Sequence, residues 1–332
     1  MYLNNESRWI DIRIQEVLSG WPMITYGNPC MYFLKAQQEN FHIFPKKINP
    51  MKTKIFLVVL LLNTAILFGQ AGSEIYVADL TVTENGITLS NPQNITNRKG
   101  YDNQPGFHPD KPLLYFSSFN DQDRAEIKAY NYKSKKTEQI TQTNEREYSP
   151  TVTPDKKFIS CIIQRDNGAQ DLGKYPLKGG APTVIIGNLI VGYHAWVNEN
   201  KLALFVLGEP FTLRTYDVKT GKDSIITNGI GRSLHKIPKQ KNFSYVDKSS
   251  AQWSIQSFGN NQSTKIIETL PGREDMAWTP DGKIIMSDGR QFFFYDTVKK
   301  DQWQIFFASD IKGISRIAMS ADGKKIAFVV SE

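Results

Sequence analysis

From about residue 104 to the end of the chain, apolar runs alternate with tight polar turns, and one module returns six times. The copies read QPGFHPDKPLLYFSS, SPTVTPDKKFISCII, HAWVNENKLALFVLG, HKIPKQKNFSYVDKS, MAWTPDGKIIMSDGR and IAMSADGKKIAFVVS. Each holds a hydrophobic anchor (Phe107, Val152, Trp196, Ile237, Trp278, Met319), then a polar turn, then an apolar strand. The turn residues Asp110, Asp155, Glu199, Gln240, Asp281 and Asp322 are spaced 45, 44, 41, 41 and 41 residues apart. Short strands and turns at such a period predict a β-propeller with one four-stranded blade per repeat. No stretch after residue 71 keeps apolar residues at i, i+3, i+4 and i+7 for three turns, so no long helix is expected.

Between the anchors runs a looser repeat that reads as a hairpin, from SEIYVADLTVTENGITLSNPQNIT to QFFFYDTVKKDQWQIFF. Asp79, Asn131, Asp217 and Asp296 fall at matching places, where the first hairpin strand should end. The first of these outer pairs (Ile75 to Thr96) precedes every inner pair, and the last inner pair (Ile317 to Val330) has no outer pair after it. Joining them builds one blade from both chain ends and removes the open edges an unclosed array would carry. The fold expected is therefore all-β, a six-bladed propeller over residues 71–332 closed by N-terminal strands completing the C-terminal blade.

The Pro-Asp turn between an aromatic anchor and an IAFV-type strand, as in WTPDGKIIMSD and SADGKKIAFVV, resembles the TolB-like repeat of bacterial propellers. KYPLKGGAPTVI resembles the outer hairpin of the same family. The resemblance covers residues 75–332 and weakens in repeats three and four, where Asn198-Glu199 and Lys239-Gln240 replace Pro-Asp. It implies export and a habit of binding proteins. The same repeat occurs in propellers of prolyl-oligopeptidase-type peptidases and in oligogalacturonate lyases, so the fold alone assigns no function.

Ahead of the repeats, MKTKIFLVVLLLNTAILFGQ (51–70) has the basic start and short apolar run of a secretory signal, with cleavage expected near residue 70. Residues 1–50 read as a disordered extension from an early start codon. The mature form is expected to be periplasmic or secreted, without a transmembrane span. After residue 70 there are 33 Lys and Arg against 29 Asp and Glu, a net +4 spread evenly, which argues against nucleic acid as a partner. Of two cysteines, only Cys161 follows residue 70, so no disulfide is available there.

Candidate chemistry lies where the chain enters the inner strands, at one mouth of the central channel. Two residues before their anchors stand His194 and His235, which the alignment places in equivalent slots of adjacent blades. Around them come Tyr148, Tyr193, Arg232, Arg273, Glu274, Asp275 and Arg316. These nine residues form the candidate ligand-binding set. His108, in the turn GFHPD, is expected to be exposed. No Gly-x-Ser-x-Gly elbow, phosphate loop, paired-Cys zinc site or EF-hand spacing is present. No cofactor or resident metal is assigned.

The leading reading is a non-catalytic exported module that docks a protein or envelope component through one face. Two alternatives use the same mouth. One is recognition of a small glycan or peptide. The other is a metal-assisted lyase or lactonase with His194, His235, Glu274 and Asp275 as ligands or bases.

Overall fold

The computed structural model describes residues 72–331 apart from Asn85, Lys300, Asp301 and Ser309. The expected leader, its cleavage point and the upstream extension lie outside the described residues. The chain folds as 24 strands in six four-stranded antiparallel sheets, with no helix among the described residues. The N-terminal hairpin is β1 (Ser73–Thr83) and β2 (Gly86–Asn94). Blade 1 follows as β3 (Asp102–Phe107), β4 (Leu113–Phe119), β5 (Ala125–Asn131) and β6 (Lys136–Gln139). Blade 2 is β7 (Arg146–Val152), β8 (Phe158–Gln164), β9 (Gln170–Pro176) and β10 (Thr183–Ile186). Blade 3 is β11 (Val191–Asn198), β12 (Lys201–Val206), β13 (Thr212–Asp217) and β14 (Lys222–Asn228). Blade 4 is β15 (Ile230–Lys236), β16 (Phe243–Asp247), β17 (Ser254–Gly259) and β18 (Gln262–Glu268). Blade 5 is β19 (Met276–Trp278), β20 (Lys283–Ser287), β21 (Gln291–Asp296) and β22 (Gln304–Ala308).

Blade 6 is built from both ends of the propeller, in the order β2-β1-β24-β23, where β23 is Ile314–Met319 and β24 is Lys325–Ser331. Strand β1 pairs with β24 without interruption from Ser73↔Ser331 to Asp79↔Lys325. Around the axis each inner strand touches the next, and β23 meets β3 to shut the ring. The expected six-bladed propeller and its N-terminal closure are both present.

The core is six sandwiches, one between each pair of neighbouring blades. Between blades 5 and 6, for example, Ile285, Phe292 and Phe294 meet Leu80, Ile326 and Phe328. Apolar residues on both faces of each blade are what the repeat supplies, and burying them requires a neighbour on either side.

The recurring turn aspartate has a local cause. In blades 2, 5 and 6 the hydroxyl after the anchor (Thr153, Thr279, Ser320) donates to the turn aspartate Oδ1 of Asp155, Asp281 and Asp322 at 2.6, 2.5 and 2.7 Å. The same hydroxyl accepts the N–H of the next strand's first residue or its neighbour, so the turn is held from within. In blade 1 this position is His108, and it is buried rather than exposed as the sequence suggested. Its Nδ1 accepts the N–H groups of Asp110 and Lys111 at 3.0 and 3.1 Å, doing the work of the missing hydroxyl.

Two further expectations are corrected. Asp79 does not end its strand: β1 bulges after Val77 and continues to Thr83, and Asp79 pairs with Lys325 and Asn91. Asn131, Asp217 and Asp296 do end theirs, each capping the following turn. In blade 4, Ile237 N–H donates to Asn242 O, the bond made by Thr153 to Phe158 O and by Thr279 to Lys283 O. Ile237 therefore stands one residue past the true anchor position, which Lys236 occupies.

Candidate functional site

Anchors fix the neighbourhood of the two histidines. Trp196 Nε1 donates to Ser160 Oγ of blade 2 at 2.9 Å, and Trp278 Nε1 donates to Ser244 Oγ of blade 4 at the same distance. His194 lies two residues before Trp196 and so shares its face of the strand. Its Nε2 meets Ser160 Oγ at 2.7 Å, and because that hydroxyl also donates to Thr151 O, the imidazole is the donor. His194 is thus buried against blade 2, and burial pushes its pKa down to about 4.

His235 does not occupy the matching slot. The one-residue offset of blade 4 turns it the other way, toward Asp275 and the Met276 backbone of blade 5. Its Nε2 meets Ser233 Oγ at 3.0 Å, and Ser233 also accepts the Met276 N–H at 3.3 Å. Burial, partly opposed by Asp275, holds its pKa at about 4. The two histidines therefore face different blade boundaries. Among the described residues no three of His, Cys, Asp and Glu come together as a metal-holding group.

Most of the remaining candidates do converge. Arg232 on β15 is clamped by blade 5: its Nε and Nη2 donate to Asp275 Oδ1 and Oδ2 at 3.0 and 2.7 Å. Its backbone N–H donates to Glu274 Oε2 at 2.9 Å, and Nη1 lies 3.2 Å from Glu274 Oε1. A two-pronged guanidinium–carboxylate contact of this kind fixes angle as well as distance. Burial works against both charges here and is outweighed. Arg232 and Arg316 hold Asp275 down at about 2, while Asp275 and Glu274 hold the Arg232 guanidinium above its ordinary range.

Arg316, on β23 of blade 6, spans the channel mouth. Its Nη2 donates to the hydroxyl of Tyr193 on blade 3 at 3.0 Å, and the guanidinium carbon sits 5.1 Å from the ring centre. Blades 3 and 6 are opposite members of a six-membered ring, so this contact closes the mouth from side to side. The Arg316 backbone has φ 50°, an unusual left-handed conformation shared by Gln104 and Ser149 in the matching slots of blades 1 and 2. Tyr148 stands in the same electrostatic neighbourhood, close enough to act on the phenol of Tyr101 together with Tyr193, Arg232 and Arg316.

Tyr101 was missed in the sequence. It is buried beneath the mouth, its ring tilted by 42° against Phe119 at 4.6 Å, and burial pushes its phenol well above the ordinary range. Lys248 was missed as well: its Nζ lies 3.6 Å from Glu274 Oε2 and 3.9 Å from the centre of the Trp253 ring. Neither follows an anchor at a fixed offset, so the repeat gave no signal for them. Arg273 is set apart from the clamp. Its guanidinium leans against Gly289, at a small cleft between blades 5 and 6.

No protein-family model matches the sequence, and no curated protein matches it either. The fold is similar to that of the putative TolB of Agrobacterium tumefaciens, with a TM-score of 0.61 and 14% identity, covering 80% of this chain and 99% of that one. TolB of Acinetobacter baumannii is similar at a TM-score of 0.51 and 16% identity, over 84% of this chain and 68% of that one. An oligogalacturonate lyase in complex with manganese follows at 0.52 and 13%, over 74% and 81%. Architecture, strand order and these likenesses agree on one statement: the chain is a six-bladed β-propeller of the TolB-like fold.

Proposed function

We propose that this chain is an exported, non-catalytic binding module that docks a protein or cell-envelope component through the mouth face. The observation that carries the reading is the cross-channel contact between Arg316 and Tyr193. With it in place the mouth is a pre-formed surface and not an open well.

The charges around it support the same view. Acid–base catalysis near neutrality calls for a group whose pKa lies near the working pH. Among the candidate residues Asp275 sits at about 2, and the two histidines, each buried at a blade boundary, at about 4. Fixed charges held by partners suit recognition, where they set register and exclude wrong partners. The TolB-like fold and the signal-like segment 51–70 support export. Among the described residues no helix is long and apolar enough to cross a membrane.

The test is cross-linking in the native host followed by mass-spectrometric identification of the captured component. The reading expects one dominant adduct, lost in Arg316→Glu and kept in a variant of the opposite face such as Lys241→Gln. Turnover of a small substrate with no partner recovered would stand against it.

A further inference from the structure

We propose a second ligand site, for a small hydroxylated anion such as a sugar acid or sugar phosphate, between blades 3 and 4 on the face opposite the mouth. Strand direction fixes that placement. Tyr193 and Arg232 lie near the starts of β11 and β15, whereas the β11–β12, β15–β16 and β17–β18 turns lie at the other end. A pocket of about 310 Å³ opens among those three turns. Small-molecule sites run from about 300 to 1,000 Å³.

Its position coincides with the two repeats that lose the turn aspartate, where Glu199 and Gln240 stand instead. At two other blade boundaries this level of the ring is shut. Between blades 1 and 2, Lys156 meets Asp110 at 2.6 Å, and between blades 5 and 6, Gly323 comes against the Pro280 ring. Between blades 3 and 4 the aligned pair is Glu199 and Gln240, so no cation stands at the position from which Lys156 closes its boundary. Lys201 lies across the strand pair from Asp217, but that carboxylate caps Thr220 instead. The pocket thus presents two ammonium groups with no carboxylate among its lining residues, a pattern that selects an anion.

The asparagines add hydroxyl recognition. Asn198 Oδ1 accepts the Asn200 N–H at 2.9 Å, which leaves its amide hydrogens for a ligand. Asn242 Nδ2 donates to Ser257 Oγ at 3.2 Å, which leaves its carbonyl oxygen. Asn260 and Asn261 form the β17–β18 turn at φ 50° and 59° and carry no side-chain hydrogen bond among the described residues. Amides offering both donors and acceptors match hydroxyl groups, which do both. Gly259 lets the Asn242 amide lie close against the β17 backbone, since a Cβ there would fall 2.0 Å from Asn242 Oδ1. This site does not depend on the docking reading.

Calorimetric titration of the purified full chain at low salt, with D-glucuronate, D-glucose 6-phosphate and D-glucose, tests it. At least one anion should bind with a Kd in the millimolar range or tighter, and glucose should bind roughly tenfold more weakly or worse. Binding of only one anion assigns the carboxylate or the phosphate as its source. Lys201→Gln combined with Lys241→Gln should weaken the anion by about tenfold or more, and Lys241→Gln alone by about threefold. Lys241 is exposed, so the single variant should keep its melting temperature and decides the matter if the double variant fails to fold. Arg316→Ala should leave this affinity unchanged, which separates failure here from failure at the mouth. The proposal falls if neither anion binds, if glucose binds equally well, or if Lys241→Gln changes nothing.

Discussion

Arg316 and Tyr193 sit 123 residues apart in sequence, yet the guanidinium of one donates to the phenol of the other across the centre of the ring. The contact joins opposite blades without passing through the blades between them. Tyr193→Phe removes the acceptor and keeps the ring under the cation. It should lower stability by about 1 kcal/mol or less while increasing hydrogen exchange around the mouth. Arg316→Ala removes both interactions and should raise the pKa of Asp275, read by NMR titration of its carboxyl, because Arg316 helps hold it at about 2.

Acid should unfold this propeller earlier than its carboxylates alone would dictate. His194 and His235 have folded pKa values of about 4 against an ordinary 6.5. Groups depressed in this way contribute stability above pH 6.5 and lose it as pH falls toward 4. The loss amounts to roughly 3 kcal/mol for each histidine, at about 1.4 kcal/mol per pKa unit. Urea midpoints measured at about pH 7 and about pH 4 should differ accordingly, and His194→Gln should shrink the difference.

Glu147 should act with the opposite sign. It is wholly buried between blades 1 and 2, accepting from Thr143 Oγ1 at 2.7 Å and from the Tyr175 hydroxyl at 2.9 Å. Burial and the neighbouring Glu126 push its carboxyl well above the usual 4.5. A raised carboxyl contributes stability below its ordinary pKa and loses it as pH rises through the folded value. Glu147→Gln mimics the protonated form, so thermal melts should show the variant equal to or more stable than the parent above neutrality. Below about pH 4.5 the advantage should vanish.

Closure by β1 should carry much of the global stability. Ile75 is fully buried between blades 6 and 1, so Ile75→Ala should cost about 2–5 kcal/mol, whereas Val298→Ala, at an exposed position, should cost less than about 0.5. Removing residues 73–83 would leave β24 with an unpaired edge, and size-exclusion chromatography should then show self-association.

The ring was legible because its signal repeats. Anchor, turn and strand recur six times, and the leftover hairpin at one end matches the missing hairpin at the other. The mouth was legible only in part. Tyr193, Asp275 and Arg316 stand at the same offset from their anchors, so alignment brought them to one level of the ring. Which of them touch depends on side-chain reach across the axis, and spacing along the chain carries no such information. The histidines were misaligned for a definite reason: the blade 4 turn shifts the inner strand by one residue, and a one-residue shift exchanges the two faces of a strand. His108 was misjudged because a turn position normally faces water, whereas this ring serves as the acceptor that holds the turn.

A photo-activatable cross-linker placed in turn at position 148 and at position 261, in otherwise unchanged protein in its native host, tests the docking reading most directly. The reading predicts one specific adduct from position 148, beside the intact Arg316–Tyr193 contact, and none of that species from position 261. An adduct formed from position 261 and not from 148 would contradict it.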